Sequence, residues 1–243
     1  MKYLILLIAV VFSQRCFATT WIEVKVADPL HKGAKCKVQE PASYGSYIYH
    51  YPSKYDQVFW PYTDANSIWF CKKSGFIAFM PDFKEVSEDE KKTIKAYLKE
   101  NKLKKPSTLE LIQRLEKLYE YRDIDPKYRN KLIRVFARWY QGFGDLKTAT
   151  EYRKIAFSEI EAFLKTDLEP FERLEYLYLA ANYARLFGEI DKSDAYLVTL
   201  EKAMEAIVDP EVDGYKEYIV ELMKETQFIE PGQRVEPVLP SKK

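Results

Sequence analysis

Residues Ser67 to Phe83 read Ser-Ile-Trp-Phe-Cys-Lys-Lys-Ser-Gly-Phe-Ile-Ala-Phe-Met-Pro-Asp-Phe, and this stretch decides how the N-terminal third of the chain folds. One apolar run enters a turn at Cys71 to Gly75, and a second apolar run leaves it. Two such runs joined through a glycine-containing turn are typical of a β-hairpin. We therefore expect strands at 67–72 and 76–80.

The turn at Cys71 also has the form of a zinc knuckle in which Ser74 stands in place of the second cysteine. The segment that begins at Cys36 has the same form, with Gln39 at the corresponding position. The chain thus carries two half-knuckles, whose cysteines are 35 residues apart.

The N-terminus has the pattern of a secretory signal peptide. Lys2 precedes the apolar run 3–12, which is too short to span a bilayer, and Ala18 offers a small residue for cleavage. We expect residues 1–18 to be removed and the protein to be secreted or periplasmic. An uncleaved anchor, a buried strand and lipidation at Cys16 are the alternatives.

The charge balance does not favour nucleic acid as a partner. The chain has 38 basic and 37 acidic residues, and removal of Lys2 and Arg15 leaves the mature chain close to neutral. No second apolar stretch approaches twenty residues, so we expect a soluble protein, with peripheral attachment to a membrane left open.

Alternating apolar and polar residues predict a small β module over residues 19–84. The alternation at 21–26 and 47–51 indicates strands, and a further short strand is expected at 57–60. Together with the hairpin, these segments predict one small, aromatic-rich antiparallel sheet.

A helical domain is expected over residues 85–228, which makes the fold class α+β. Ser87 reads as the N-cap of a first helix, a second helix is expected at 107–122, and Asp125 with Pro126 begins a third. The lysine-rich segment 102–106 between the first two helices is interpreted as a solvated linker. A last helix is expected at 215–224, and the prolines beyond Ile229 predict an extended or disordered tail over 229–243.

The helical region contains an internal repeat. Residues 136–145 are echoed by residues 180–189, forty-four positions later, and small residues recur at the predicted close approaches of the helices. These residues are Ala137, Ala149, Ala181 and Ser193, with Gly144 and Gly188 at the turns. This pattern is similar to two helical hairpins of the tetratricopeptide (TPR) type, and a simple helical bundle is the alternative.

The two half-knuckles, the aromatic block at 55–64, the segment Ser-Gly-Phe-Ile-Ala-Phe at 74–79 and the TPR-like helices together resemble the bacterial domain-of-unknown-function family 2225. The resemblance covers about residues 27–188 and departs from the family at both second cysteines. It implies a degenerate zinc-ribbon-like module followed by TPR-like helices, and it brings no established activity.

In a ribbon, the cysteines of the two knuckles approach a common metal, so the resemblance implies that Cys36 and Cys71 lie close together. An oxidising compartment would then favour a disulfide between them. Two free buried thiols, or a metal held with His31 and His50, remain open alternatives.

The first helix of each hairpin would line a concave surface in a TPR-like stack. The side chains expected on it are Lys131, Arg134, Arg138, Gln141, Glu175, Tyr178, Asn182 and Arg185. Four basic groups there favour a protein or peptide partner with an acidic segment or a C-terminal carboxylate. An ordinary solvated helix face is the alternative.

Two further features are candidate functional sites. The aromatic block at 44–70 suits recognition of peptide or glycan, but alternating tyrosines are also typical of the packed face of a thin sheet. Asp56, Asp64 and Asp82 could form an acid/base set, but no known catalytic motif accompanies them. We therefore expect a non-catalytic binding or scaffolding protein of the bacterial cell envelope that needs no cofactor, with a periplasmic enzyme as the alternative.

Overall fold

The computed structural model describes residues 20–43 and 52–239. In that part of the chain two small antiparallel sheets precede seven α-helices, so the expected α+β fold is confirmed. No helix among these residues is both long enough and apolar enough to cross a membrane. The predicted signal peptide and the predicted strand at 47–51 lie outside the described residues.

The first sheet pairs β1 (Thr20–Ala27) with β2 (Lys35–Ser43), which confirms the strand predicted at 21–26. Valines face each other at Val24 and Val38, and Val26 lies opposite Cys36. This register places Cys36 and Val38 on the buried side of the ribbon, where they join the hydrophobic core.

The second sheet is the predicted hairpin, formed by β3 (Ile68–Phe70) and β4 (Ile77–Phe79). Gly75 in its turn has φ of +78°, a conformation that residues with a Cβ rarely adopt.

The expectation of one continuous sheet is wrong, because β2 and β3 are not hydrogen-bonded to each other. The indole nitrogen of Trp69 instead donates to the carbonyl of Gln39 in β2, at 2.7 Å. A side chain thus occupies an acceptor that a third strand would need.

The strand expected at 57–60 is also wrong. A 3-10 helix spans Pro52–Asp56, and Gln57 follows it with φ of +48°. The amides of Gln57 and Val58 donate to the carbonyls of Lys54 and Ser53, so the hydrogen bonds are local turns rather than a ladder.

The seven helices of the described chain follow the sheets. They are α1 (Glu88–Glu100), α2 (Thr108–Tyr119), α3 (Pro126–Gly142), α4 (Leu146–Phe163), α5 (Pro170–Leu186), α6 (Ile190–Ala206) and α7 (Pro210–Thr226). Ser87 and Ser107 begin α1 and α2 with complete capping boxes, and the side chain of Asp125 caps α3 ahead of Pro126. The last helix starts earlier than expected, because Asp209 caps it.

The internal repeat forms two helical hairpins, α3 with α4 and α5 with α6. Gly144 and Gly188 have φ of +84° and +80° at the two turns, so both helices end in a conformation that favours glycine. The four small residues expected at close approaches are all fully buried; they are Ala137, Ala149, Ala181 and Ser193.

One hydrophobic core crosses the expected boundary between the β module and the helices. Phe79 at the end of β4 lies 6.1 Å from the ring of Tyr119 on α2 and 6.5 Å from that of Phe136 on α3. The same core includes the disulfide cysteines, so the sheets rest directly on the first four helices.

The C-terminal segment 229–239, which we call the tail, is packed against the helices, so of the two expected states, extended or disordered, the disordered one is wrong for these residues. Val235 is fully buried, the amide of Gly232 donates to the carbonyl of Leu186 at 2.8 Å, and that of Val238 donates to Phe228 at 2.9 Å. Buried side chains and hydrogen bonds from backbone amides hold this segment in place, although it forms neither a helix nor a strand.

Candidate functional site

The predicted concave face lies on α3 and α5, but its centre is closed to solvent. Arg134 is 2% exposed, and Gln141, Tyr178 and Asn182 are 0% exposed. The expectation of an open surface is therefore wrong for these four residues. Their partners, among the described residues, belong to the same chain.

Residues 53–58, which we call the inner loop, cover the centre of this face. Arg134 donates from Nη1 to the carbonyl of Asp56 at 2.8 Å and from Nη2 to the carboxylate of Glu175 at 2.8 Å. Asn182 donates to the carbonyl of Tyr55 at 3.1 Å. The side chains expected to hold a partner thus hold the backbone of the inner loop, by donating to the carbonyls of Tyr55 and Asp56.

Asp56 is the charged centre of the inner loop and is fully buried. Arg153 of α4 forms a two-point ion pair with it, at 2.9 and 2.7 Å, and the hydroxyl of Tyr183 donates at 2.9 Å. Burial alone would raise the pKa of Asp56, but the charge and hydrogen bonds of Arg153 outweigh it and hold that pKa below its ordinary value. Asp56 is thus ionised and saturated with donors.

The inner loop is also attached to α7. The hydroxyl of Tyr55 donates to Glu225 at 2.7 Å, and Lys54 pairs with the same carboxylate at 2.9 Å. Tyr215 donates to the side chain of Gln57 at 3.1 Å. Side chains from four helices therefore contact the six residues of the inner loop, and this segment fills the space between those helices.

The tail covers one end of the same face. The guanidinium of Arg138 and the amide of Gln141 both donate to the carboxylate of Glu236. Beside them, Arg185 donates to the carbonyl of Gln227 at 2.9 Å. Glu236, which follows the buried Val235, thus lies where we expected an acidic partner to bind.

The other end of the face remains open as a cleft of about 630 Å³, which we call the aromatic cleft. Its walls come from the inner loop, α3, the start of α5 and α7. It is lined by Gln57, Phe59, Lys131, Phe171, Glu175, Gly214, Tyr215 and Tyr218. Of the side chains predicted for the concave face, Lys131 and Glu175 are the two that reach this opening.

Aromatic rings form the walls of the cleft. The rings of Phe171 and Tyr215 stack with their centres 4.0 Å apart, and Tyr218 lies 6.1 Å beyond Tyr215. Phe171 is 46% exposed. An apolar ring so exposed beside other rings offers a contact surface for an apolar group of a ligand.

The cleft carries one ammonium group that is not already paired with a carboxylate among the described residues. Lys131 lies over the ring of Tyr62, 4.5 Å from its centre, while Glu175 is paired with Arg134. Burial and the neighbouring Arg134 lower the pKa of Lys131, and Glu175 opposes this shift. An anionic group of a ligand would relieve this partly buried charge.

Sequence reasoning missed the aromatic residues that α5 and α7 bring to the cleft. The sequence does show that Phe171 follows Pro170, the first residue of α5. That its ring is exposed is known only from the structure. The described part of the aromatic block is mainly core: Tyr55, Tyr62 and Trp69 are buried, and Phe59 is its aromatic residue that lines the cleft. Residues 44–51 of that block lie outside the described part of the chain.

The three aspartates of the catalytic alternative have structural partners. Asp56 is enclosed as described above, and Asp64 caps a short 3-10 helix through the amide of Asn66 at 2.8 Å. Asp82 accepts hydrogen bonds from the hydroxyls of Tyr119 and Tyr128. None of these arrangements supports the periplasmic-enzyme alternative.

Cys36 and Cys71 form the expected disulfide, with their sulfur atoms 2.08 Å apart. The buried carboxylate of Asp28 lies 3.4 Å from the sulfur of Cys71 and 3.4 Å from Nδ1 of His31. Bonded sulfur atoms are neither free thiols nor thiolate ligands, so those two alternatives do not describe this structure. His50, named for the metal alternative, lies outside the described residues.

Comparison with known proteins finds no matching family model, no matching curated protein and no matching solved structure. The resemblance to family 2225 therefore stays a prediction. Function must be argued from the geometry of the chain itself.

Proposed function

We propose that this chain is an exported, non-catalytic binding protein of the bacterial cell envelope, and that it holds an acidic segment of a protein partner in the aromatic cleft. The observation that carries the proposal is that the exposed ring of Phe171 and the ammonium of Lys131 line one opening of about 630 Å³. Apolar walls with one placed charge are typical of a recognition site rather than a packing defect.

The tail supports the kind of partner that we propose. Val235 is buried and Glu236 is held by Arg138 and Gln141, so this helical face already binds an apolar residue followed by an acidic one. At the open end of the face, Lys131 offers a positive charge, and Phe171 and Tyr215 offer apolar surface. A partner segment with an apolar side chain beside a carboxylate fits both requirements.

Export is the second part of the proposal. It rests on the signal-peptide pattern of residues 1–18 and on the disulfide, because disulfides persist in oxidising compartments. Intact mass of protein taken from its native envelope would test it. A chain that starts at Thr19 and shows free thiols only after reduction is expected, whereas an unprocessed chain with two alkylatable cysteines in the described region would contradict export.

The binding proposal is tested with a displayed library of random peptides, followed by titration of an enriched peptide. Enriched peptides should share an acidic residue next to an apolar one. Replacement of that acidic residue by its amide should weaken binding by about tenfold, the effect of one charge-assisted contact. No enrichment over an empty matrix would contradict the proposal.

Two matched pairs of variants place the site. Lys131→Gln should weaken binding of the enriched peptide. Lys154→Gln should not weaken it, although Lys154 also lies over an aromatic ring, 5.9 Å from the centre of Phe187. Phe171→Ala should weaken it, whereas Phe143→Ala, which removes a ring of similar exposure on the ring of Trp139, should not. Equal binding by all four variants would place the site elsewhere.

A further inference from the structure

A second opening, which we call the basic cleft, lies away from the aromatic cleft and has a volume of about 430 Å³. It is formed by the Cys71–Gly75 turn, the C-terminal half of α1, the linker that follows α1, and α2. Its lining residues include six lysines and one arginine; they are Lys72, Lys73, Lys95, Lys99, Lys102, Lys104 and Arg114.

The charge of this opening is far from that of the whole chain. No aspartate or glutamate lines it among the described residues, whereas the full sequence has a net charge of only +1. Two lysine-containing segments that are distant in sequence, at 72–73 and 102–104, meet here through the fold. Like charges gathered around a concavity repel one another and raise the local positive potential. A linker that is merely solvated, as expected for 102–106, gives no reason for its lysines to gather in this way.

An arginine with an unused donor forms the floor. Arg114 is 5% exposed, and its Nη2 donates to the carbonyl of Asn101. Its Nη1 is buried and has no hydrogen-bond partner within the described part of the chain. Buried donors in proteins are normally paired, so this atom points to an acceptor that comes from outside.

Gly75 lies beside Nη1 and places no side chain against it. A Cβ at this position would lie 3.6 Å from Nη1 and would cover one side of it. Glycine is also required here by its φ of +78°, so the hairpin turn that shapes the fold adds no side chain next to the guanidinium.

We propose that the basic cleft is a binding site for a compact phosphate-bearing polyanion, with one phosphate on Arg114 and further negative charge on the surrounding lysines. A guanidinium matches the geometry of an oxyanion, and a phosphate has enough oxygen atoms to meet Arg114 and lysines at once. Six lysines around so small a space exceed what one carboxylate would neutralise. The chemistry is independent of the acidic segment proposed for the aromatic cleft.

Tripolyphosphate is the probe for this site, measured by titration calorimetry with the purified protein at low and at moderate salt. We expect saturable binding that weakens as salt rises, because the contacts are ionic. Absence of saturable binding at low salt would overturn the proposal.

The lysine triple variant Lys95→Ala/Lys99→Ala/Lys102→Ala tests the position of the site. All three side chains are exposed, so the fold should persist, and the affinity for tripolyphosphate should fall by about tenfold or more. The matched control is Lys147→Ala/Lys165→Ala/Lys202→Ala, which removes three exposed lysines elsewhere. Equal losses in the two triples would show non-specific attraction and overturn the proposal.

Arg114→Met tests the floor. This variant should lower the affinity for tripolyphosphate more than Lys95→Ala does, in which a single exposed lysine is lost. The reason is that it removes the donor that meets the deepest phosphate. Affinity unchanged in both the folded Arg114→Met protein and the lysine triple would overturn the site. If Arg114→Met does not fold, the lysine triple and its control decide the matter alone.

The phosphate could belong to a soluble molecule or to a lipid headgroup, and sedimentation with vesicles separates the two sources. Co-sedimentation with phosphatidylcholine vesicles that contain phosphatidic acid, lost in the lysine triple and competed by tripolyphosphate, would assign a headgroup. Tripolyphosphate binding without co-sedimentation would assign a soluble phosphate compound. Co-sedimentation that the lysine triple leaves intact would contradict a shared site.

Discussion

Asp56 is the residue whose role changes most between sequence and structure. It was a candidate acid or base, but it is a fully buried anion that Arg153, Tyr183 and the backbone around it enclose. Arg134 binds the carbonyl of the same residue, so two buried arginines depend on one position of the inner loop. A buried ion pair of this kind makes the loss of one partner costly, because the other charge stays buried.

Asp56→Asn should therefore destabilise the protein by about 3–5 kcal/mol at neutral pH, since Arg153 would keep its burial and lose its counter-charge. Urea denaturation followed by circular dichroism measures this. Asp64→Asn is the control: this side chain only caps a short 3-10 helix, and its loss should cost about 1 kcal/mol or less. Similar losses in the two variants would contradict the central role of Asp56.

The same pair predicts a pH dependence. The pKa of Asp56 in the folded protein lies below its ordinary value of 3.8, so its contribution is fully present above that value and is lost as the pH falls through the folded pKa. The difference in unfolding free energy between the wild type and Asp56→Asn should therefore be constant near neutral pH and shrink in acid below pH 3.8. A difference that grows in acid would be incompatible with this assignment.

At the scale of elements, the two hairpins depend on small residues where the helices approach. Ala181 on α5 is fully buried, at the position equivalent to Ala137 on α3. A larger side chain at a fully buried position has no space unless the elements around it shift.

Ala181→Leu should destabilise the protein by about 1–3 kcal/mol through overpacking. Ala195→Leu on α6 is the matched control, because its side chain is exposed and leucine is also a good helix former. Thermal and urea unfolding of both variants provide the measurement. A stable Ala181→Leu protein would show that the hairpins are not closely packed at this point.

The disulfide is the second feature at this scale, since it joins β2 to the residue that follows β3. The closed loop of 35 residues restricts the unfolded chain, so Cys36→Ser/Cys71→Ser should lose about 3–4 kcal/mol. Reduction of the wild type with a phosphine should give a comparable loss and should leave the double variant unchanged. Sensitivity of the double variant to reductant would indicate another origin of the effect.

At the scale of the whole molecule, the tail connects the end of α7 to α3. Its residues reach from α7 across the turn at Gly188 to Arg138 on α3, and Val235 is buried on the way. The chain thereby fills its own concave face from two directions, with the inner loop at the centre and the tail at one end.

Val235→Ala should cost about 1–3 kcal/mol, from the lost apolar burial and the small cavity that remains. Val238→Ala in the same segment should be nearly neutral, because Val238 is 61% exposed. Equilibrium unfolding distinguishes the two. Negligible effects of both substitutions would mean that the tail is not packed as described. The tail would then no longer support the proposal of an acidic partner segment.

Much of the local structure could be predicted from residues that act on their near neighbours. Gly75 and the apolar runs beside it predicted the hairpin, Ser87 and Asp125 predicted helix starts, and the repeat around Ala137 and Ala181 predicted two hairpins. These signals depend on short-range sterics and hydrogen bonds, which a sequence carries directly. Helical periodicity also predicts which side chains of α3 and α5 share a side, and Arg134 and Asn182 both contact the inner loop.

The occupancy of that face was decided by tertiary structure. Helical periodicity cannot show that Asp56, 78 residues before Arg134, supplies the acceptor, or that Glu236 reaches Arg138 from 98 residues away. The aromatic cleft and the basic cleft likewise combine residues from segments far apart in the chain. Contacts of this range are settled by the packing of the whole core, so the same charged side chains that suggested an external partner were free to bind the chain itself.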